Sequence, residues 1–190
     1  MKPITASAPS VTPVIRSIRE SRVVFLVGFM GAGKTTVGQA LARRLGWSFE
    51  DLDDRIEQRQ RGSIAKIFQD SGEAEFRRAE SAALRALLED LGSSPRIIAL
   101  GGGAFTQAEN AALLESAGVP IVFLDGSPEE LFRRCQREGR DRPLRGDQKQ
   151  FCELYERRRP SYLKAAWHIN TDGKDQETIA GEVACSLRLE

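Results

Sequence analysis

The 190-residue chain has one histidine, three cysteines, a net charge of only +1 and no long apolar run. Each shortage narrows the function. No apolar stretch approaches the roughly 18–20 residues of a membrane span. A charge balance this even gives no global electrostatic case for nucleic acid or an anionic membrane. Cys135, Cys152 and Cys185 are scattered, odd in number and without C-x-x-C spacing, so they read as idle thiols in a reducing, cytoplasmic setting. His168 falls in a strand-like run and reads as structural. Residues 1–20 have no sustained apolar core, which excludes a secretory signal and favours a flexible leader; the absence of acids before Glu20 leaves a short organellar transit segment as the alternative. No internal repeat is visible. What remains, 41% apolar and 29% charged residues, is a soluble chain with enough length for a single domain over 21–190.

The most informative stretch is Gly28-Phe-Met-Gly-Ala-Gly33-Lys34-Thr35. It follows an apolar run, Val23–Val27, and precedes a helical pattern from Thr36 to Leu45. Strand, glycine loop and helix start are the context that a G-x-x-x-x-G-K-[ST] phosphate-binding loop requires. Backbone N–H groups at Gly31, Ala32, Gly33 and Thr36 would cradle the phosphates of ATP, aided by the helix N-terminus. Lys34 would reach the terminal phosphates as a point charge. The Thr35 hydroxyl would ligate Mg²⁺.

Further strands are expected at Trp47–Asp51, Arg96–Leu100, Val119–Leu124 and Trp167–Asn170. Helices are expected from Asp53, over Ser63–Phe68, from Glu73 to Leu91, from Thr106 to Ser116, from Pro128 to Arg137, from Lys149 to Ala166 and from Asp175 to Leu187. Gly72 should break the chain between the second and third of these. In the long one Phe76, Ala79, Ala83, Leu84 and Leu87 face the core. Glu138 to Gln148 is charged and Gly/Pro-interrupted, and reads as a mobile loop. Strands alternating with helices imply a parallel sheet covered on both faces, an α/β/α sandwich with ligands beyond the strands' carboxyl ends.

That edge also carries Asp51-Leu52-Asp53 and Gly101-Gly102-Gly103. Two carboxylates two residues apart share a face of a strand. One could support Mg²⁺ while the other orients or deprotonates a hydroxyl; alternatively Asp53 caps a helix and Asp51 is solvated. The glycines suit either close approach of a substrate or a plain tight turn. Arg77, Arg142 and Arg158 stand among other arginines, and spacing does not rank them. Arg142 lies in the mobile loop, where an arginine could be delivered onto transferring phosphates.

Phe49-Glu-Asp51-Leu-Asp53, Ile56-Glu57, Gly62-Ser63-Ile64, Ile67-Phe68, Gly72-Glu73, Phe76-Arg77 and Glu80 together resemble the substrate-domain signature of the shikimate kinases. Gly101–Gly103, Arg142-Pro-Leu144 and Arg158-Arg-Pro-Ser-Tyr162 continue the match in order, from about Val23 to Thr171. The resemblance implies a P-loop NTPase fold with a five-stranded parallel sheet of order 2-3-1-4-5. It adds a substrate-binding subdomain at about 51–80 and a lid at about 138–148. It implies ATP-dependent phosphorylation of the shikimate 3-hydroxyl, a step of aromatic amino-acid biosynthesis, by a monomer.

Carried over by motif, Asp53 would bind the shikimate hydroxyls and act as base. Arg77 and Arg158 would hold the carboxylate, with Gly101, Gly102 and Gly103 at the ring. Asp51 and Thr35 would serve Mg²⁺. Lys34 and Arg142 would stabilise the transferring phosphoryl group, and Arg134 would flank adenine. Leu52 and Arg145 depart from the family's usual residues. A gluconate kinase, an inactive nucleotide-binding homologue and a nucleic-acid-dependent ATPase are the competing readings. The last would want a basic stripe and an acid after the third strand.

Overall fold

β1 (Val23–Val27) is buried at every position, the pattern of a strand covered on both faces. It sits at the centre of a five-stranded parallel sheet of order β2-β3-β1-β4-β5. Its neighbours are β2 (Ser48–Asp51), β3 (Arg96–Ala99), β4 (Ile121–Asp125) and β5 (Trp167–Asn170). The computed structural model describes residues 22–92, 94–138 and 147–190, the side chain of Glu138 excepted. The leader at 1–20 lies outside the described residues, as does most of the lid at 138–148, Arg142 included.

Among the described residues seven α-helices connect and cover the strands: α1 (Lys34–Leu45), α2 (Leu52–Gln60), α3 (Ile64–Glu89), α4 (Ala108–Ala117), α5 (Pro128–Glu138), α6 (Gln148–Tyr162) and α7 (Gln176–Leu187). Only the step from β1 to β2 runs toward the β2 edge. Right-handed crossovers therefore put α1 on the opposite face from the helices that serve the other steps. α7, after β5, packs against α1. The layers are those expected of the α/β/α fold, and the strand order is the one that the resemblance implied.

Several boundaries differ by a residue or more from the sequence reading, and three of these differences bear on the site. α2 begins at Leu52, because the Asp51 side chain caps it by accepting from the Asp53 backbone N–H at 3.0 Å; Asp53 is not the cap. The helix expected from Thr106 is divided: a 3-10 turn covers Ala104–Thr106, and an extended Gln107 separates it from α4. α6 ends at Tyr162, four residues short of the expected Ala166. Gly72 breaks α3 as expected, with φ 77° and ψ 173° inside an otherwise helical run.

Phe76, Ala83, Leu84 and Leu87 are buried, and Ala79 packs partly buried against the same core. Each fully buried Phe or Leu among them contributes about 1.5–3 kcal/mol. Glu80 is buried as well, at 0% exposure, which an apolar periodicity does not foretell. His168 Nε2 lies 2.8 Å from the Ala165 carbonyl oxygen, and its ring meets Phe123 edge-on, consistent with a structural role. Among the described residues no helix is long and apolar enough to cross a membrane.

Candidate active site

The carboxyl end of β1 turns directly into the glycine loop. Gly31 and Gly33 stand at φ 80° and 82°, in the left-handed region where a side chain is strained. The chain can then enter α1 with its first N–H groups turned to one side. Lys34 is buried and curls back over the loop, its Nζ donating to the carbonyls of Gly28 at 2.9 Å and Phe29 at 3.1 Å. The Thr36 hydroxyl donates to Gly33. The Thr35 hydroxyl donates to Asp51 Oδ2 at 2.8 Å. Asp51 thus ties two helix starts together, one oxygen on α1 and the other on α2.

A cleft of about 360 Å³ opens over this junction. Gly31, Gly33, Lys34, Thr35, Thr36, Asp51, Asp53 and Gly102 all line it. Asp53, one residue into α2, faces the run after β3. A Cβ on Gly101 would lie 2.6 Å from Asp53 Oδ1 and 2.8 Å from Glu80 Oε1. A Cβ there would fit only if these carboxylates moved, so glycine at 101 leaves both where they stand. Gly103 is under the same constraint from the Arg77 guanidinium. The groups that approach this triplet closely are the protein's own side chains, and Gly102 and Gly103 also form a turn, the second of the two readings.

Arg77 and Arg158 arrive from different helices at consecutive glycines. Arg77, on α3, donates to Glu80 at 2.8 Å and to Glu73 at 3.1 Å. Arg158, on α6, donates to the Gly102 carbonyl at 3.4 Å. The same carbonyl accepts from the Tyr162 hydroxyl. Burial lowers the pKa of Arg158, with Arg77 adding to the effect. At Arg77 burial also works against the cation, but Glu80 and Glu73 outweigh it and leave its pKa raised. Burial pushes the Glu80 carboxyl up, although Arg77 pulls the other way.

Arg134 is placed apart from this group. Its guanidinium donates to the Thr171 carbonyl at 2.7 Å and the Thr171 hydroxyl at 3.2 Å, in the turn after β5. Three residues enter the site that had been assigned no role. Glu80 and Gln107, joined at 2.7 Å, back Arg77, and Tyr162 backs Gly102. Glu80 and Tyr162 stood within the segments that resemble the family, which was the available signal for them. Gln107 carried none.

A sequence model of the shikimate kinase family matches residues 30–188. The chain belongs to the shikimate kinase family. A shikimate kinase of Persephonella marina is 36% identical over 167 residues, which cover 88% of this chain and 99% of that protein. One from Thermus thermophilus is 40% identical over 172 residues, 89% of this chain and 91% of its own. Among solved structures, the shikimate kinase of Acinetobacter baumannii in complex with shikimate aligns with a TM-score of 0.81. It is 32% identical, over 92% of this chain and 97% of that one. A gluconokinase of Sinorhizobium meliloti aligns with a TM-score of 0.61 at 20% identity, a likeness of fold alone. The five-stranded sheet, the phosphate loop and the paired arginines are thus set in a shikimate kinase framework.

Proposed function

We propose that this chain transfers the γ-phosphoryl group of ATP to the 3-hydroxyl of shikimate, with the residue roles that follow. The observation that carries this reading is the convergence of Arg77 and Arg158 on Gly103 and Gly102, beside a cleft that holds Asp53 and the phosphate loop. Two guanidinium forks suit a carboxylate. An acidic acceptor so held presents its hydroxyls toward Asp53. Asp53 takes the hydroxyl proton as the oxygen attacks the γ-phosphorus; the new O–P bond forms as the bond to ADP breaks.

Lys34 rests on two neutral carbonyls. Phosphate oxygens are stronger acceptors for an ammonium group, so nucleotide binding draws it to the β- and γ-phosphates. Gly31, Ala32, Gly33 and Thr36 offer backbone N–H groups to the same phosphates. Arg134 is assigned to the adenine side, next to the Thr171 turn, and Arg142 to the lid that closes on the transferring group.

The Thr35 hydroxyl and the Asp51 carboxylate, 2.8 Å apart, are hard oxygen donors that fit Mg²⁺. They would hold it directly and through water, respectively, with phosphates and solvent completing the shell. When bound, the ion neutralises phosphate charge. A cytoplasmic, monomeric state without a nucleic-acid partner belongs to the same proposal.

The deciding experiment is a coupled ADP-release assay with Mg-ATP and shikimate, gluconate or no acceptor. Turnover with shikimate alone is expected. Turnover with gluconate and none with shikimate would overturn the substrate.

A further inference from the structure

Four residues of α6, Tyr155, Arg158, Arg159 and Tyr162, fall at i, i+3, i+4 and i+7, one face of the helix. They divide into two pairs with different targets. Arg158 and Tyr162 reach the Gly102 carbonyl beyond β3. Tyr155 and Arg159 reach the end of β4. Arg159 Nη2 donates to Asp125 Oδ2 at 2.8 Å, and its Nε donates to the Tyr155 hydroxyl at 3.0 Å. That hydroxyl in turn donates into the acceptor pair of Asp125 Oδ1, at 3.0 Å, and the Gly126 carbonyl, at 3.1 Å.

Between β3 and β4 in the sheet lies β1, so α6 bridges the strand that carries the phosphate loop. Phe29 of that loop fills the space beneath. Its ring meets Tyr155 edge-on at 5.5 Å and lies 5.9 Å from the Arg158 guanidinium carbon.

Arg158 is held by no ion pair among the described residues; it rests on a 3.4 Å donation to the Gly102 carbonyl, the Tyr162 hydroxyl and the Phe29 ring. Arg77, by contrast, is gripped by two carboxylates. The backbone around Arg158 is also loosened: Pro160, inside α6, has no N–H to offer the Glu156 carbonyl. Where Arg158 stands is therefore decided by what anchors α6 on either side of it. The Asp125 clasp lies one residue along the chain from Arg158. It ties α6 to the end of β4, three residues before α5 starts at Pro128.

We propose that Arg159 and Tyr155 are positioning residues, which clasp α6 to Asp125 and so set the position of Arg158 for the carboxylate of shikimate. The inference rests on the carboxylate role given to Arg158 above. A clasp of this kind acts on acceptor affinity. A contact that merely stabilises the fold would weaken shikimate and ATP alike, or neither.

The test is steady-state kinetics of Arg159→Gln, Asp125→Asn, the double variant and Tyr155→Phe. Each single variant is expected to raise KM for shikimate roughly three- to ten-fold. KM for ATP and kcat should stay within about two-fold of wild type. The double variant should be no worse than the more affected single one, because both changes remove one clasp. Arg159→Lys, which keeps the charge but not the fork, should fall between.

An unchanged shikimate KM in both Arg159→Gln and Tyr155→Phe would overturn the proposal. So would an additive double variant, or an equal rise in KM for ATP. If Arg159→Gln fails to fold by circular dichroism, Tyr155→Phe, which removes a single oxygen, decides alone. Wild-type protein in the same assay separates the two readings. No wild-type turnover of shikimate sinks the proposed function, whereas normal wild-type turnover with unmoved variants sinks the clasp alone.

Discussion

Arg77 and Glu80 stand one turn apart on α3 and meet at 2.8 Å, with Glu80 wholly buried. The guanidinium assigned to the substrate's carboxylate is thus already oriented by a carboxylate of the protein. Glu80 has a pKa above its ordinary value, because burial outweighs the pull of Arg77. The folded state then binds the proton more tightly than the unfolded chain. This group's contribution to stability is complete below the unfolded value and is lost as pH rises through the folded one. Relative to Glu80→Gln, the wild-type thermal midpoint should fall as pH rises above about 4.5, the ordinary value, and then level off. A wild-type midpoint that climbs relative to the variant across that interval would contradict the assignment.

Gly101 is boxed in by two acids, with 2.6 Å to Asp53 Oδ1 and 2.8 Å to Glu80 Oε1 from the place a Cβ would take. Gly101→Ala must push Asp53 out of line. Displacement of a reacting group by an ångström costs on the order of 10²-fold in rate, and kcat should fall by about that much. Rates like those of wild type would mean that the position of Asp53 does not matter to the reaction.

Asp53→Asn removes the proposed base but leaves the phosphate loop as it is. The expected result is a kcat lower by roughly 10²–10⁴-fold, with ATP binding, followed by calorimetry, close to that of wild type. Near-normal kcat would remove Asp53 from its role as base.

Thr35→Ala and Asp51→Asn each take away one of the two oxygens joined at 2.8 Å. The Mg²⁺ concentration for half-maximal rate should rise roughly ten-fold or more in both. A Mg²⁺ titration that superimposes on that of wild type would place the ion elsewhere.

Much of this site could be read before the structure, because its parts are local in sequence. The phosphate loop is one unbroken run, and β1, β3 and β4 are largely apolar segments. Asp51 and Asp53 lie two residues apart, so their shared edge was legible too, although not which of them caps α2. What was not legible depends on tertiary facing. Arg157, Arg158 and Arg159 are consecutive, and only the rotation of α6 sends Arg158 to Gly102 and Arg159 to Asp125, with Arg157 left exposed. Glu80 contradicts the apolar stripe that surrounds it, and a periodicity averages such an exception away. Gln107 matters through a contact with Glu80, 27 residues earlier in the chain, which no local pattern encodes.

The strand order has a practical consequence for engineering. With β1 in the middle, Asp51, Asp53, Arg77 and the glycine triplet hang from the β2–β3 flank, and Arg134 with Thr171 from the β4–β5 flank. On the residue roles proposed above, the kinase is divisible along its phosphate loop into an acceptor half and a donor half. A transplanted acceptor half would bring a new substrate to an unchanged ATP site. α6 is the seam that would need refitting, because Arg158 and Arg159 face opposite halves.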